Sequence, residues 1–446
     1  MRVFRIGLLF GLSVALLGFA DLRGERMSLS LRDVLQMAEQ ANFEVLIAEE
    51  SREAARQGVA RSRSSLLPQL SVEVDQSRSK NPLGGAGQGV DPDGAEQSLN
   101  RTFVNRFDAL IRARMSLLNL EDRAQLEVSR FNLRIVETEI ELVIQQILNR
   151  IADAYFTHHR NLQRMEVIDA NLERDEVLLR VARNQFEGGV ATPLDVTRAE
   201  VSLATNELAR LAQETEVMES GLRLKRILNL PLGTELELQA VDIPERAPDE
   251  LNVLAELPRV LERRPEFRLE VERLDRNRYS RRAADLQRLP TVGVTGSWGY
   301  ASETLSDDMR EQWRVGVGVS VPIFEGGRIR ANQLEADSNI RSQSYVLRDL
   351  EQAIEADLRL AAQDLRSRYN QVEVATKTVD LNRREYDLAR NRFEEGVADN
   401  ADVVTAMARL ADAEGVLVDA KYAYHLSWIR MARLRGDVRD VIQSIE

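Results

Sequence analysis

The segment Ala182-Arg183-Asn184-Gln185-Phe186-Glu187-Gly188-Gly189-Val190-Ala191 returns later in the chain as Ala389-Arg390-Asn391-Arg392-Phe393-Glu394-Glu395-Gly396-Val397-Ala398, an offset of 207 residues. Each copy then reaches an Asp-Val pair at the same spacing, Asp195-Val196 and Asp402-Val403. The duplication extends further. Asn42-Phe43-Glu44 and Leu67-Pro68 match Arg264-Pro265-Glu266 and Leu289-Pro290 at an offset of 222, and Met115-Ser116-Leu117 aligns with Val319-Ser320-Val321 at 204. The chain is therefore one structural unit written twice, over roughly residues 30–240 and 250–440. The falling offset gives the first copy about 18 extra residues, the polar Gly/Pro stretch over residues 77–99, whose composition predicts a loop.

Within each copy the longest element is a helix. Residues 121–187 contain neither proline nor glycine, and residues 328–395 are the matching run. At about 1.5 Å per residue such a helix reaches roughly 100 Å, far beyond a globular domain. Heptad spacing appears in Ile140, Ile144, Ile147, Ile151 and Ala154, and again in Leu347, Ile354, Leu358, Ala361, Leu365, Val372 and Val379. Val403, Ala406, Leu410, Ala413, Leu417, Ala420 and Tyr424 alternate steps of three and four. This pattern predicts coiled-coil packing, with small residues admitting close backbones. Each repeated motif then sits at a helical corner, where Gly188-Gly189 and Gly396 supply the turn and Asp195 and Asp402 lie in the first turn of the returning helix.

Strands are expected as one pair per copy, at about 67–118 and 289–324, ahead of helical hairpins at about 120–228 and 327–434. Odd positions Phe103, Asn105, Phe107, Ala109, Ile111, Ala113, Met115 and Leu117 oppose an even set containing Arg106, Asp108, Arg112 and Arg114. Val315, Val317, Val319, Val321 and Ile323 alternate with Arg314, Gly316, Gly318 and Ser320; Val292, Val294, Trp298 and Tyr300 alternate in the same way, as do Leu70, Val72 and Val74. A half-buried strand of a soluble sheet shows the same alternation. The charged opposite face and the Trp298/Tyr300/Trp313 cluster favour a membrane strand with interfacial aromatics.

The compartment follows from the first residues and the charge. Arg2 and Arg5 precede an apolar run over residues 6–20 that ends Gly18-Phe19-Ala20, the pattern of a secretory signal peptide. The run is short for a membrane anchor. Its removal takes the net charge from −12 to −14, which argues against nucleic acid or anionic lipid as a partner. With no cysteine there are no disulfides. Any membrane crossing is then made by strands, and four strands cannot close a barrel, so several chains must combine. Two chains give eight strands and a filled interior; three give twelve and a lumen, which favours a trimer.

The ordered set of signal peptide, Leu-Pro before each strand pair, Val321-Pro322-Ile323-Phe324-Glu325-Gly326-Gly327-Arg328 at the strand-to-helix junction, and twin Phe-x-x-Gly…Asp-Val corners resembles the TolC-type outer-membrane efflux proteins. The resemblance implies an α+β membrane protein, a homotrimer whose twelve-stranded outer-membrane barrel continues into a periplasmic α-helical barrel. It implies a channel for small molecules or secreted polypeptides, working with a periplasmic adaptor and an inner-membrane pump of RND or ABC type. Residues 229–262 would form an equatorial linker. The corners, with Arg183, Gly188, Gly189, Val190, Arg390, Gly396 and Val397, are expected to meet the adaptor. Asp195, Asp402, Phe186 and Phe393 would form a periplasmic gate, with Thr405 and Ala398 departing from the family pattern. Arg106, Asp108, Arg112 and Arg114 would line the lumen.

Enzymatic and cofactor readings find no support in the sequence. His158-His159 point about 100° apart on a helix, unlike an i, i+4 metal pair, and together with His425 are expected to be solvated. Gly84-Gly85-Ala86-Gly87-Gln88-Gly89 lacks a following helix and reads as a surface loop. A non-conducting periplasmic coiled-coil adaptor or envelope scaffold is the remaining alternative.

Overall fold

A computed structural model of the chain describes residues 26–80, 103–239, 253–303 and 308–436. The expected signal peptide, the Gly84–Gly89 segment and part of the 229–262 linker lie outside the described residues. The first copy contains β1 (Arg26–Leu29), α1 (Leu31–Ala41), α2 (Phe43–Ser64), β2 (Gln69–Lys80), β3 (Phe103–Leu118), α3 (Leu120–Glu187) and α4 (Pro193–Ile227). After β4 (Glu235–Leu238), the second contains α5 (Val253–Arg263), α6 (Pro265–Leu286), β5 (Thr291–Ser302), β6 (Arg310–Ser320), α7 (Arg328–Glu394) and α8 (Asn400–Arg435). The order helix, helix, strand, strand, long helix, helix thus occurs twice. α3 and α7 are single helices of 68 and 67 residues, as the absence of breakers requires. Among the described residues no helix is long and apolar enough to cross a membrane.

Two strand ends differ from the sequence expectation. β2 continues through Ser77 to Lys80, pairing with Arg106 back to Phe103, so the loop begins later than its composition suggests. Polar residues still pair by backbone, which composition does not report. β6 stops at Ser320 although the alternation runs on to Val321 and Ile323. Pro322 has no N–H to offer the ladder, and Gly326 and Gly327, both at positive φ, turn the chain into α7.

The chain divides into two compact units. One, residues 46–143 and 254–356, holds a four-stranded antiparallel sheet in the order β2-β3-β5-β6. The two copies join at β3 and β5. Val72 faces Ile111, Ile111 faces Trp298 and Trp298 faces Trp313; in the adjacent row Val74, Ala109 and Tyr300 lead to Glu311 on β6. Directly opposed residues share a face, so Leu70, Val72, Val74, Ile111, Trp298, Tyr300, Trp313, Val315 and Val317 lie on one side and are exposed there, while Phe107 on that side and Leu110 on the other are buried. Helices of this unit pack around Val128, Phe131, Ile135, Leu269 and Leu274, with the Phe131 and Tyr279 rings 4.8 Å apart.

The other unit, residues 1–45, 144–253 and 357–446, contains the parallel pair β1-β4 and the corner ends of the long helices. Here the heptads become core: Ile147, Ile151, Leu358, Val403 and Leu410 are all buried. Tyr155, fully buried, donates its hydroxyl to the Gln239 carbonyl at 2.5 Å and so ties α3 to the small sheet.

Gly299 of β5 sits so close to β3 that an added Cβ would lie 2.9 Å from Leu110 Cα, whereas nothing lies within 4 Å of a Cβ at Gly318. Gly299→Val is expected to lower the yield of folded β-sheet several-fold by wedging β3 from β5, while Gly318→Val leaves it near wild type; the β-sheet circular dichroism signal of both purified variants checks this.

Candidate functional site

The corners are built alike. In the first, Val190 N and Ala191 N donate to the Gln185 carbonyl at 2.8 and 3.1 Å, and Gly189 N donates to Phe186 O at 3.0 Å. In the second, Val397 N donates to Arg392 O at 2.9 Å and Gly396 N to Phe393 O at 3.0 Å. Gly189 and Gly396 occupy equivalent positions at φ +74° and +72°, where only glycine is unstrained. Gly188 needs no such freedom, which is why Glu395 can replace it. Thr192 and Asp399, again equivalent, cap the returning helices α4 and α8.

Beyond the turn the copies diverge. Asp195 closes a capping box: its carboxylate accepts from Thr192 N at 2.9 Å and from Thr192 Oγ1 at 2.7 Å. Its side chain is 8 % exposed, against 61 % for Asp402. The aromatic pair shows the reverse, Phe393 at 2 % and Phe186 at 45 %. The first corner therefore hides its acid and shows its ring; the second hides its ring and shows its acid. Phe393 packs with Leu178, Ala182, Tyr386, Val403 and Met407, a core made by both hairpins. Two side chains stitch the corners together. Gln185 Nε2 donates to Phe393 O at 3.0 Å, and fully buried Asn400 donates to the Asp195 carbonyl at 2.6 Å. Arg198 stands between Asp195 at 3.7 Å and Asp399 at 3.9 Å. Burial alone would raise the Asp195 pKa; the Thr192 hydrogen bonds, Arg198 and Asn400 outweigh it and hold the carboxyl below its usual range.

A model of the outer membrane efflux protein family matches residues 34–230 and 257–437, nearly all of both copies. The chain belongs to that family. It is similar to the alkaline protease secretion protein AprF of Pseudomonas aeruginosa, 26 % identical over 93 % of this chain and 86 % of the relative. It is also similar to the outer membrane protein TolC of Escherichia coli, 22 % identical over 97 % and 86 %. The crystal structure of the Campylobacter jejuni CmeC outer membrane channel superposes with a TM-score of 0.75 at 18 % identity, covering 93 % of this chain and 89 % of that one. The fold is thus that of the TolC-type channels, and the efflux protein is an outer-membrane channel extending into the periplasm.

The structure separates the residues that the sequence groups as a gate. In the efflux protein Asp195 and Phe393 are internal to one protomer, a cap and a core ring; only Asp402 and Phe186 are presented outward. Among the expected docking residues, Arg183 pairs with Glu200 at 2.8 Å and Arg390 lies near Glu394 at 3.5 Å, both half-exposed, with Val190 and Val397 exposed at the turns. Arg106 pairs with Asp108 at 2.6 Å and Arg112 with Glu73 at 2.8 Å on the polar sheet face. Trp298 and Trp313 are cross-strand partners, and Trp298 meets the Tyr300 ring edge-on at 5.9 Å.

Of the three histidines, His158 is not solvated, whereas His159 and His425 remain partly exposed. His158 is buried, its Nδ1 2.9 Å from Ser220 Oγ, with Asn161 donating to the same hydroxyl at 3.2 Å. His159 is hydrogen-bonded to the Tyr422 hydroxyl, and His425 packs on the same ring. Burial, helped by Lys225 and His159, lowers the His158 pKa to about 4. His158 continues the spacing Ile144, Ile147, Ile151, Ala154, which is the signal that marks it as internal. Gln185, Asn400 and Arg198 escape a search for shared motifs, because Gln185 and Asn400 stand where the other copy has Arg392 and Pro193.

Asp195→Ala and Asn400→Ala are expected to destabilise the corner by about 1 kcal/mol each and speed amide exchange over residues 186–200, whereas Asp402→Ala leaves exchange unchanged. Because the folded His158 pKa lies below the ordinary 6.5, the unfolded chain protonates first as pH falls. Its stabilising contribution is complete above about pH 6.5 and is lost towards pH 4, on the order of 3 kcal/mol. Thermal unfolding of the helical signal across that range should show a steeper decline for wild type than for His158→Gln.

Proposed function

We propose that the protein works as a homotrimer in which each chain contributes four strands to a twelve-stranded outer-membrane barrel, conducting cargo delivered by an inner-membrane pump through a periplasmic adaptor. The observation that carries this reading is the open sheet: β2 and β6 are both edges, and the sheet presents an exposed apolar face with Leu70, Val72, Val315 and Val317. Lipid satisfies neither edge, and pairing β6 of one chain with β2 of the next satisfies both. The helices offer a parallel argument. Exposed Leu194, Val201, Leu208 and Leu222 recur along α4 at heptad spacing or its multiple, as do Leu360, Val374, Leu381 and Leu388 along α7. Such stripes are suited to join neighbouring copies as coiled-coil seams.

In this arrangement Trp298, Tyr300 and Trp313 contact lipid near the membrane interface, and Arg106, Asp108, Arg112 and Arg114 face the lumen. The corners, with Gly188, Gly189, Val190, Gly396, Val397 and the flanking Arg183 and Arg390, receive the adaptor. Asp402, the exposed acid, forms with its copies a carboxylate ring that attracts cations, and Phe186 narrows the same opening. Asp195 and Phe393 support the gate by holding the two corners together.

Purified protein in planar bilayers is expected to form pores, and Asp402→Ala to raise single-channel conductance and weaken block by multivalent cations. Pores whose block and conductance do not change in Asp402→Ala would remove Asp402 from the pore axis. Absence of any conductance would favour the non-conducting scaffold.

A further inference from the structure

The polar face of the sheet carries a charge pattern of its own. One cross-strand row consists of Ser71, Arg112, Ser297 and Arg314; the next consists of Gln69, Arg114, Thr295 and Gly316. Neither row contains an acid. The acids of this face, Glu73, Asp75 and Asp108, lie in the rows beyond, where Glu73 pairs with Arg112 and Asp108 with Arg106. Asp75 shares its row with Arg310. Arg114 and Arg314 stand in the two rows that lack an acid, and among the described residues neither has a carboxylate partner; Arg310, likewise outside any ion pair, has Asp75 and Asp108 in its row.

The surroundings keep these guanidinium groups available. Nothing lies within 4 Å of a Cβ at Gly318, one at Gly316 would meet only Thr295 Oγ1 at 3.6 Å, and Arg114 borders a recess of about 450 Å³ whose polar lining includes Gln69, Ser116, Asn119 and Thr295, beside the apolar Met115, Val292, Val294 and Val319. The polar four are neutral side chains able to donate hydrogen bonds, and no carboxylate lines the recess. A cation flanked by neutral donors matches carboxylate geometry, because arginine binds that group through two parallel N–H donors.

We propose that Arg114 and Arg314 form a cationic band on the lumen face that favours carboxylate-bearing cargo and retards polycations. The proposal rests on the reading of the polar sheet face as the lumen. With three copies the band holds six uncompensated arginines, opposite in sign to the exposed acids of the corners. Rings of arginine in a confined pore raise the local concentration of anions, and the effect weakens as salt screens it. Arg314 is equivalent to no residue singled out by the repeated motifs; only the register of β5 and β6 brings it into line with Arg112.

The test is block of single-channel current by short poly-L-glutamate, with poly-L-lysine of equal length as control and free glutamate as a small-molecule arm. Polymer is added to each side in turn, on wild type, R114Q/R314Q and R114K/R314K. From one side, wild type should be blocked by polyglutamate at a concentration about tenfold below that needed in R114Q/R314Q, with the lysine variant retaining the block and high salt abolishing it. Block by free glutamate as well assigns the band to small carboxylates; block by the polymer alone assigns it to acidic polypeptides. Equal polyglutamate block in wild type and R114Q/R314Q, with normal pores in both, would overturn the cationic band while leaving the channel intact. Absence of pores in wild type would instead overturn the lumen reading on which the band depends.

Discussion

A β-strand edge presents a row of unpaired N–H and C=O groups, and hydrocarbon offers them no partner. The sheet of this protein has two such edges, β2 and β6, flanking a face on which valines and two tryptophans are exposed. Neither feature is stable alone: the apolar face requires lipid, and lipid forbids the edges. Assembly answers both demands, and the same logic extends to the helices. α4 and α7 carry exposed leucine and valine at heptad spacing, which a coiled-coil partner would cover. The chain is in this sense incomplete on its own, with strand edges and apolar surface left uncovered.

Duplication does not produce two identical halves. The corners share their turn geometry down to the positive φ of Gly189 and Gly396. They part where they touch. Pro193 in one copy becomes Asn400 in the other, and Asn400 reaches the backbone of Asp195; Gln185 has Arg392 as its counterpart and reaches the carbonyl of Phe393. Burial then divides the acids and the rings reciprocally, so that one copy presents a carboxylate and the other an aromatic ring. Each copy has kept the fold and taken half of the surface chemistry. In the proposed gate, one pair of residues supports the corners from within and the other is presented outward.

Much of the architecture was legible because it rests on period. The 3.5-residue stripe through Ile354, Leu358 and Leu365 and the dyad alternation in β3 each report one buried or apolar face directly, and the structure places them accordingly. Burial of particular polar residues was less legible. His158 lies on the extended heptad stripe and is internal, although its chemistry suggests solvent; a hydroxyl from Ser220 and the bare backbone at Gly221 make room for it. Asp195 and Asp402 are equivalent in sequence; Thr192 locks the first into a capping box that Asp399 does not offer the second, and Asn400 of the other hairpin adds a bond to the Asp195 backbone. The first difference is local to the corner and only the second is tertiary. The strand ends failed for another reason: backbone pairing, not side-chain polarity, decides where β2 stops, and a single proline decides where β6 does.

The dependence of the sheet on neighbouring copies is tested most directly by the native mass of the detergent-purified protein, measured while its β-sheet signal is intact. A particle of three chains, dissociating only with loss of that signal, is the expected result. A monomer that inserts stably into a bilayer with its full β-sheet signal would show that β2 and β6 are satisfied within one chain, and would contradict the account.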